Sequence, residues 1–395
     1  NQVQVKISAN RMQCEIIFNQ PVKYNHKFDF LINIIPEQNL IVKNLGPLRI
    51  LEWNNEMLEK ITFMSMKQKL LFNSTLARFT TDKNNKHRVL YPNLMLRKLR
   101  ANAPESKIIR LEWGRRPIIR MKFTYFIKNE DSHPVYNLEV KMNLPPSTKF
   151  QEMNIITDRI QKVKDSRDHN NIFVFSIPKV NSGEKIIKEI ILEVIPKGNR
   201  VISTPDFGND RDFNNLKNFG TFGKEIIKTT KYWDNETKII QDEVNNIRRI
   251  SKNISDYIVN SFIRVNTGIK YEINHIRDKA SNALNLGKGD CSEYSDLFIA
   301  LLRATDIPSR LIIGWVIKPS SLSLESHGWV EFYSPKYGWI QCDPTWGYLT
   351  GVSCQHLCRQ REGITPIKNN FGWKYAGRKE SKIEVKEKIT ILSID

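Results

Sequence analysis

In residues 119–127 every odd position is apolar (Ile119, Met121, Phe123, Tyr125, Ile127), and Arg120, Lys122 and Thr124 fall between them. A period of two puts alternate side chains on opposite faces of a strand, so this segment belongs in a sheet with one dry face. Residues 135–144 repeat the pattern on even positions (Tyr136, Leu138, Val140, Met142, Leu144) and stop at Pro145-Pro146. Two more apolar runs, 172–177 and 186–195, flank an Asn181-Ser182-Gly183 turn. Residues 113–204 are therefore expected to form a β-sandwich. Residues 1–112 hold shorter strand-like pieces (3–7, 14–18, 28–35) and an ambiguous stretch at 57–72, which predicts a β-rich N-terminal module of unassigned fold.

The pattern changes after Pro205. Residues 207–222 are rich in Gly, Asn and Asp and read as a linker. Helical spacing follows at Ile240, Val244 and Ile247, then at Ile254 and Ile258. A short helix over about 274–286 is expected to stop at Gly287, since glycine suits the left-handed position past a helix end. The whole chain is thus expected to be multidomain: all-β modules over 1–112 and 113–204, then an α+β domain over 223–395.

The chemistry concentrates in 287–346. Gly289-Asp290-Cys291-Ser292-Glu293 precedes an amphipathic stripe of Tyr294, Leu297, Phe298, Leu301 and Leu302. Asp290 as N-cap and Glu293 three positions on make a capping box, which sets Cys291 at the first helical residue. Unpaired N–H groups and the positive end of the dipole there favour a thiolate. Residues 310–317 read as a buried strand, and 327–333 and 339–343 as a hairpin closed by Ser334-Pro335-Lys336-Tyr337-Gly338. Odd positions pair with odd across that turn. His327 and Asp343 therefore share a face, opposite or one diagonal step apart, within the roughly 4.5–8 Å of cross-strand neighbours. A carboxylate that orients an imidazole, and an imidazole that takes a thiol proton, make a nucleophile–base–orienter set.

Gly289-Asp290-Cys291-Ser292-Glu293-Tyr294, the run from His327 to Tyr333 and the run from Gly338 to Gly347 together resemble the core of the transglutaminase-like superfamily, over about 271–351. The resemblance implies a papain-like α+β fold of microbial type. It also implies Cys291 as nucleophile, His327 as general base and acid, and Asp343 as orienter. An upstream side chain completes the oxyanion hole in that family, and Tyr271 is the candidate here, with a half-buried aromatic as the plain alternative. Animal cross-linking members carry Gly-Gln-Cys-Trp where this chain has Gly-Asp-Cys-Ser, and no calcium-loop pattern is visible. The expected activity is therefore a thiol peptidase or amidase acting on peptide or protein amides through a thioacyl-enzyme. A protein-glutamine γ-glutamyltransferase is the first alternative and an inactive binding or scaffold protein the second.

The remaining features bound the partners. Cys354, His356 and Cys358, with Cys342, offer zinc-type donors, but alternate strand residues lie about 7 Å apart and give a poor tetrahedral bite. No metal or cofactor is expected. The chain has 61 Lys plus Arg against 42 Asp plus Glu, a net charge of +19. Residues 1–200 hold 34 basic and 19 acidic side chains, residues 201–395 hold 27 and 23, and 86–122 alone holds eleven basic against Glu105 and Glu112. A weak anionic partner at 86–122 is one reading and a solvated strand face the other. Five cysteines, an odd number, argue against a disulfide scaffold. No run is long and apolar enough to span a membrane. The start at Asn1 fits a missing leader, so the compartment is left open between secreted and other soluble locations.

Overall fold

A computed structural model of the 395-residue chain describes residues 3–8, 11–18, 41–46, 48–54, 108–114, 116–157, 161–163, 168, 170–197, 206–210, 225–274, 276–319, 321–364, 371–377 and 382–395. Strands β1 (Val3–Ser8) and β2 (Arg11–Phe18) form an antiparallel pair. Strands β3 (Ile41–Leu45), β4 (Leu48–Asn54) and β5 (Ile108–Gly114) form a three-stranded antiparallel sheet. The N-terminal part is thus β-rich. The ambiguous stretch 57–72, the expected strand at 28–35 and most of the basic segment 86–122 lie outside the described residues.

The sandwich strands are β6 (Ile119–Asn129), β7 (Val135–Leu144), β8 (Gln151–Ile155), β9 (Gln161–Val163), β10 (Asn171–Val180) and β11 (Lys185–Pro196). Ile119, Met121, Phe123, Tyr125 and Ile127 of β6 are buried, as the alternation requires, and they share one apolar cluster with Leu138, Val140 and Met142 of β7.

The α+β part follows. Helix α1 (Lys238–Ile250) buries Ile240, Val244 and Ile247; α2 (Ile254–Gly268) starts at Asn253, whose side chain accepts from the Asp256 N–H. Strand β12 (Lys270–Tyr271) pairs in parallel with β13 (Lys288–Gly289), and between them lies α3 (Ala280–Leu286). Gly287 ends α3 at φ 64°, the left-handed conformation expected of it. The helix expected from 274 begins only at Ala280. Upstream, side chains take the N–H groups a helix would use: Asp290 accepts from Asn274 and Glu293 from Asp278.

Helix α4 (Cys291–Arg303) is buried on nearly every side, and behind it β14 (Ser309–Lys318), β15 (Ser323–Ser334), β16 (Gly338–Cys342) and β17 (His356–Glu362) make an antiparallel sheet in the order β16-β15-β14-β17. Leu297, Phe298 and Leu301 of α4 pack with Leu311, Val330 and Phe332 of the sheet. From the opposite face Trp315, Ile317 and Leu357 join the sandwich cluster. The central strand β14 is therefore buried on both faces, which explains its near-continuous apolar sequence.

The last strands, β18 (Phe371–Ala376) and β19 (Ile383–Ile394), return to the sandwich. Strand β18 pairs with β7, and β19 runs antiparallel along β6 from Ile383 opposite Asn129 to Ile394 opposite Ile119. The two sheets then read β18-β7-β10-β9 and β19-β6-β11-β8. A consecutive division at 204/223 does not account for these pairings, because the sandwich takes strands from both sides of the α+β part. The Lys- and Glu-rich residues 383–388 thus lie within a paired strand, β19.

At Gly314 the β14–β17 register shifts, and a Cβ there would stand 2.0 Å from the Leu357 carbonyl oxygen. Only glycine allows the two backbones this close. Gly314→Ala is expected to cost about 1–3 kcal/mol as β17 is pushed away. Gly372→Ala, whose added Cβ meets nothing within 4 Å, should change stability by less than about 0.5 kcal/mol. Equal denaturation midpoints for the two variants would refute this account of the bulge.

Candidate functional site

Three elements bring the site together. The N-terminus of α4 carries the first. Asp290 accepts from the Ser292 N–H at 2.8 Å and Glu293 accepts from the Asp290 N–H at 2.9 Å, a reciprocal capping box. Cys291 is the first helical residue and is partly exposed. Tyr271 sits beside this turn, paired with Gly289 through β12 and β13, and is 53% exposed.

The β15–β16 hairpin carries the second. Val330 lies opposite Cys342, so His327 and Asp343 fall on one face a diagonal step apart. Their side chains meet, with His327 Nε2 2.8 Å from Asp343 Oδ2. Asp343 is anchored beyond the strand end by a two-bond bridge with Tyr348. Its Oδ1 accepts from the Thr345 and Trp346 N–H groups at 2.9 and 3.0 Å.

Strand β17 supplies the third. His356, its first residue, places Nε2 3.0 Å from the same Asp343 Oδ2. Both imidazoles are walled by aromatic rings. His327 stacks on Trp329 with centroids 6.1 Å apart and interplanar angle 19°, and His356 meets Trp329 and Trp346 edge-on at 5.1 and 5.0 Å. Asp343 is fully buried and His327 nearly so.

Burial alone would lower the His327 pKa. The Asp343 charge and hydrogen bond, then a hydrogen bond and charge from Cys291, outweigh it and raise the imidazole to about 10. Burial likewise pushes Asp343 up, but the His327 charge and hydrogen bonds from both imidazoles hold it well below the usual carboxylate range. The Tyr271 hydroxyl is raised first by partial burial and then by the electrostatic influence of Cys291, Asp290, Glu325 and Asp343.

These distances correct the expectation of a Cys–His–Asp triad. The group that closes on itself among the described residues is His327, Asp343 and His356, with all donor atoms within 4.8 Å of one another and no cysteine among them. Cys291 touches this group only through His327. The thiol-hydrolase class, the cysteine-protease-like chemistry and the thioacyl route to hydrolysis or amine transfer all rested on the triad, and they lose that basis. The physical reason is topological: the hairpin argument placed two strands, whereas the carboxylate is reached from a third.

Among the described residues the other cysteines do not converge. Cys342, Cys354 and Cys358 are buried in three different apolar clusters and carry no disulfide. Burial raises the Cys358 thiol to about 12 and Cys342 well above the usual thiol range, as suits unreactive core residues. By donor type the His–Asp–His group is the set that suits a divalent ion. Its contacts of 2.8 and 3.0 Å are, however, hydrogen-bond distances that require a proton on each Nε2. The residues are accordingly read as a hydrogen-bonded cluster. From sequence, His356 reads as a poor zinc donor and rather as part of a strand or turn that closes the domain after Asp343, not as a partner of that carboxylate. Its place on a strand beginning 13 residues after Asp343 was the available signal for more.

Residues 237–344 match the model of the transglutaminase-like superfamily core. A protein-glutamine γ-glutamyltransferase of Pseudomonas aeruginosa is 33% identical over 66 residues, 15% of this chain and 10% of that protein. The uncharacterized protein YebA of Bacillus subtilis is 32% identical over 72 residues, again 15% and 10%. The match thus spans about a tenth of the length of either relative. Among solved structures, a candidate cysteine protease from Cytophaga hutchinsonii aligns with a TM-score of 0.43 at 14% identity, covering 70% of this chain and 92% of that one. The periplasmic domain of TgpA from P. aeruginosa aligns with a TM-score of 0.30 at 12% identity, covering 69% and 86%. Scores below 0.5 leave these likenesses too loose to transfer a site or an activity.

Proposed function

We propose, from the premise that residues 237–344 belong to the transglutaminase-like superfamily, that the site performs acid–base chemistry on a peptide or protein substrate. His327 is the proton-transfer group and Asp343 its anchor. Cys291 is the neighbour that shares a hydrogen bond with His327, and Tyr271 flanks the entrance. The observation that carries this reading is the His327–Asp343 contact at 2.8 Å inside a wall of aromatic rings. The buried Asp343 carboxylate favours the imidazolium strongly enough to outweigh the cost of burying that charge. The partly exposed Cys291 side gives substrate access to an otherwise buried pair.

Turnover of a peptide library by wild type and His327→Gln tests the role of the imidazole, and unchanged turnover in the variant sinks it. Histidine NMR titration of Cys291→Ala tests the sharing. Loss of the thiol is expected to lower the His327 pKa from about 10, because Cys291 contributes a hydrogen bond and a charge that raise it. An unmoved midpoint would remove Cys291 from the site.

The basic segment 86–122 is proposed as a contact for an anionic partner. Binding there must fall steeply between low and moderate salt. Among the described residues no helix is long and apolar enough to cross a membrane.

A further inference from the structure

Asp343 has the acceptor capacity of a carboxylate, about four lone-pair sites, and four donors occupy it. The Thr345 and Trp346 N–H groups take Oδ1, and the two imidazoles take Oδ2. Three of these four bonds come from the hairpin and the loop that follows it. The fourth comes from His356 on β17, which lies on the far side of β14 from the hairpin. The His356 side chain is fully buried, as is that of Asp343.

We propose that His356 is a positioning residue: by donating Nε2–H to Asp343 Oδ2 it fixes the carboxylate and divides its charge between two imidazoles. The inference rests on the acid–base reading of His327 given above. Two donors on one oxygen compete, since each draws electron density that the other would use. With His356 present, His327 is held by a carboxylate already partly satisfied, so its proton is bound less tightly than a lone Asp–His pair would bind it. The imidazole can then release as well as accept a proton.

The other titratable groups facing the cluster do not replace this role. Cys291 from α4 contacts His327, the Tyr271 hydroxyl feels Cys291 and Asp343 from β12, and Cys342 on β16 feels Asp343. The Tyr348 ring lies 6.1 Å from the His356 ring. None of these gives Asp343 Oδ2 a hydrogen bond in place of His356.

The test uses histidine ring NMR on the full chain. In wild type, His356 is expected to carry its proton on Nε2 at neutral pH, and a proton on Nδ1 alone overturns the proposal without any variant. His356→Phe keeps an aromatic ring but no donor, and is expected to raise the His327 proton affinity by about two- to tenfold, the scale of one hydrogen bond's net contribution. His356→Gln, which retains an N–H donor, should return the midpoint toward wild type. A His356→Phe midpoint that is unchanged or lower overturns the proposal, because a residue that only fills space would not move it upward. The readout needs no turnover, so a chain without His327-dependent turnover but with the expected titration refutes the functional reading alone. The converse result refutes the positioning role alone.

Discussion

Asp343→Ala is expected to destabilise the chain by roughly 3–5 kcal/mol and to drop the His327 pKa from about 10 to below its ordinary 6.5. The first effect follows from the count of donors. Removing the carboxylate takes an acceptor from two part-buried backbone N–H groups and two buried imidazoles. Each such group loses its partner, at about 1–3 kcal/mol apiece before relaxation where water does not replace it. The second follows from what is left. Burial is the largest influence on His327 and lowers its pKa, and only Asp343 and Cys291 oppose it. Asp343→Asn keeps the volume and some bonds but not the charge, so it should show the pKa drop with a smaller loss of stability. A variant with His327 still titrating near 10 would show that Asp343 is not what holds the proton.

The same pair sets how stability varies with pH. The folded pKa of His327 is raised, so its contribution is complete below the unfolded value near 6.5 and is lost as pH rises through about 10. The folded pKa of Asp343 is depressed, so its contribution is complete above the ordinary 3.8 and is lost as the solution is acidified toward the folded value. These are two views of one interaction and count once. Wild type should therefore lose stability between pH 7 and 10, and Asp343→Ala should lose less over that interval. Denaturant titrations at both pH values check the difference.

Local pattern carried much of this architecture, and long-range pairing carried the rest. The alternation in 119–127 and 135–144 predicts the buried faces of β6 and β7, and Gly287, Asp290 and Glu293 predict where α3 ends and α4 begins. Odd-to-odd pairing across Ser334–Gly338 predicts that His327 and Asp343 share a face. These are short-range consequences of period and turn length, which a sequence displays directly. His356 is different. Its place beside Asp343 depends on β17 pairing with β14, about 40 residues earlier in the chain, through a bulge that only Gly314 permits. Strands β18 and β19 reach β7 and β6 over more than 200 residues. Nothing in a strand's own alternation says which distant edge it will join. The expectation of a triad failed for that reason, because it considered only neighbours along the hairpin.

Arg277→Leu is expected to cost about 3–5 kcal/mol as well, from a second buried network that holds the site's framework. Arg277 binds Asp296 in bidentate fashion at 2.6 and 2.7 Å and reaches Glu362 at 2.8 Å. Both carboxylate side chains are fully buried. Asp296 lies on α4, which begins at Cys291, and Glu362 ends β17, which begins at His356. One guanidinium thus ties the helix to the strand. Burial pulls its pKa down, but Asp296 and then Glu362 hold it above the ordinary value. The Tyr232 ring covers it at 4.0 Å, and the Trp233 indole N–H donates to the same Asp296 oxygen at 2.6 Å. Without the arginine, the two buried carboxylates lose three charge-assisted hydrogen bonds and keep only the more distant charge of the Arg303 guanidinium. Arg277→Lys should recover only part of the loss, because an ammonium lacks the planar fork. Adding Asp296→Asn and Glu362→Gln to Arg277→Leu should recover most of it, because an intact buried ion network is worth little against neutral groups of the same shape. A loss below about 1 kcal/mol would mean that Arg277 merely decorates the junction between α4 and β17.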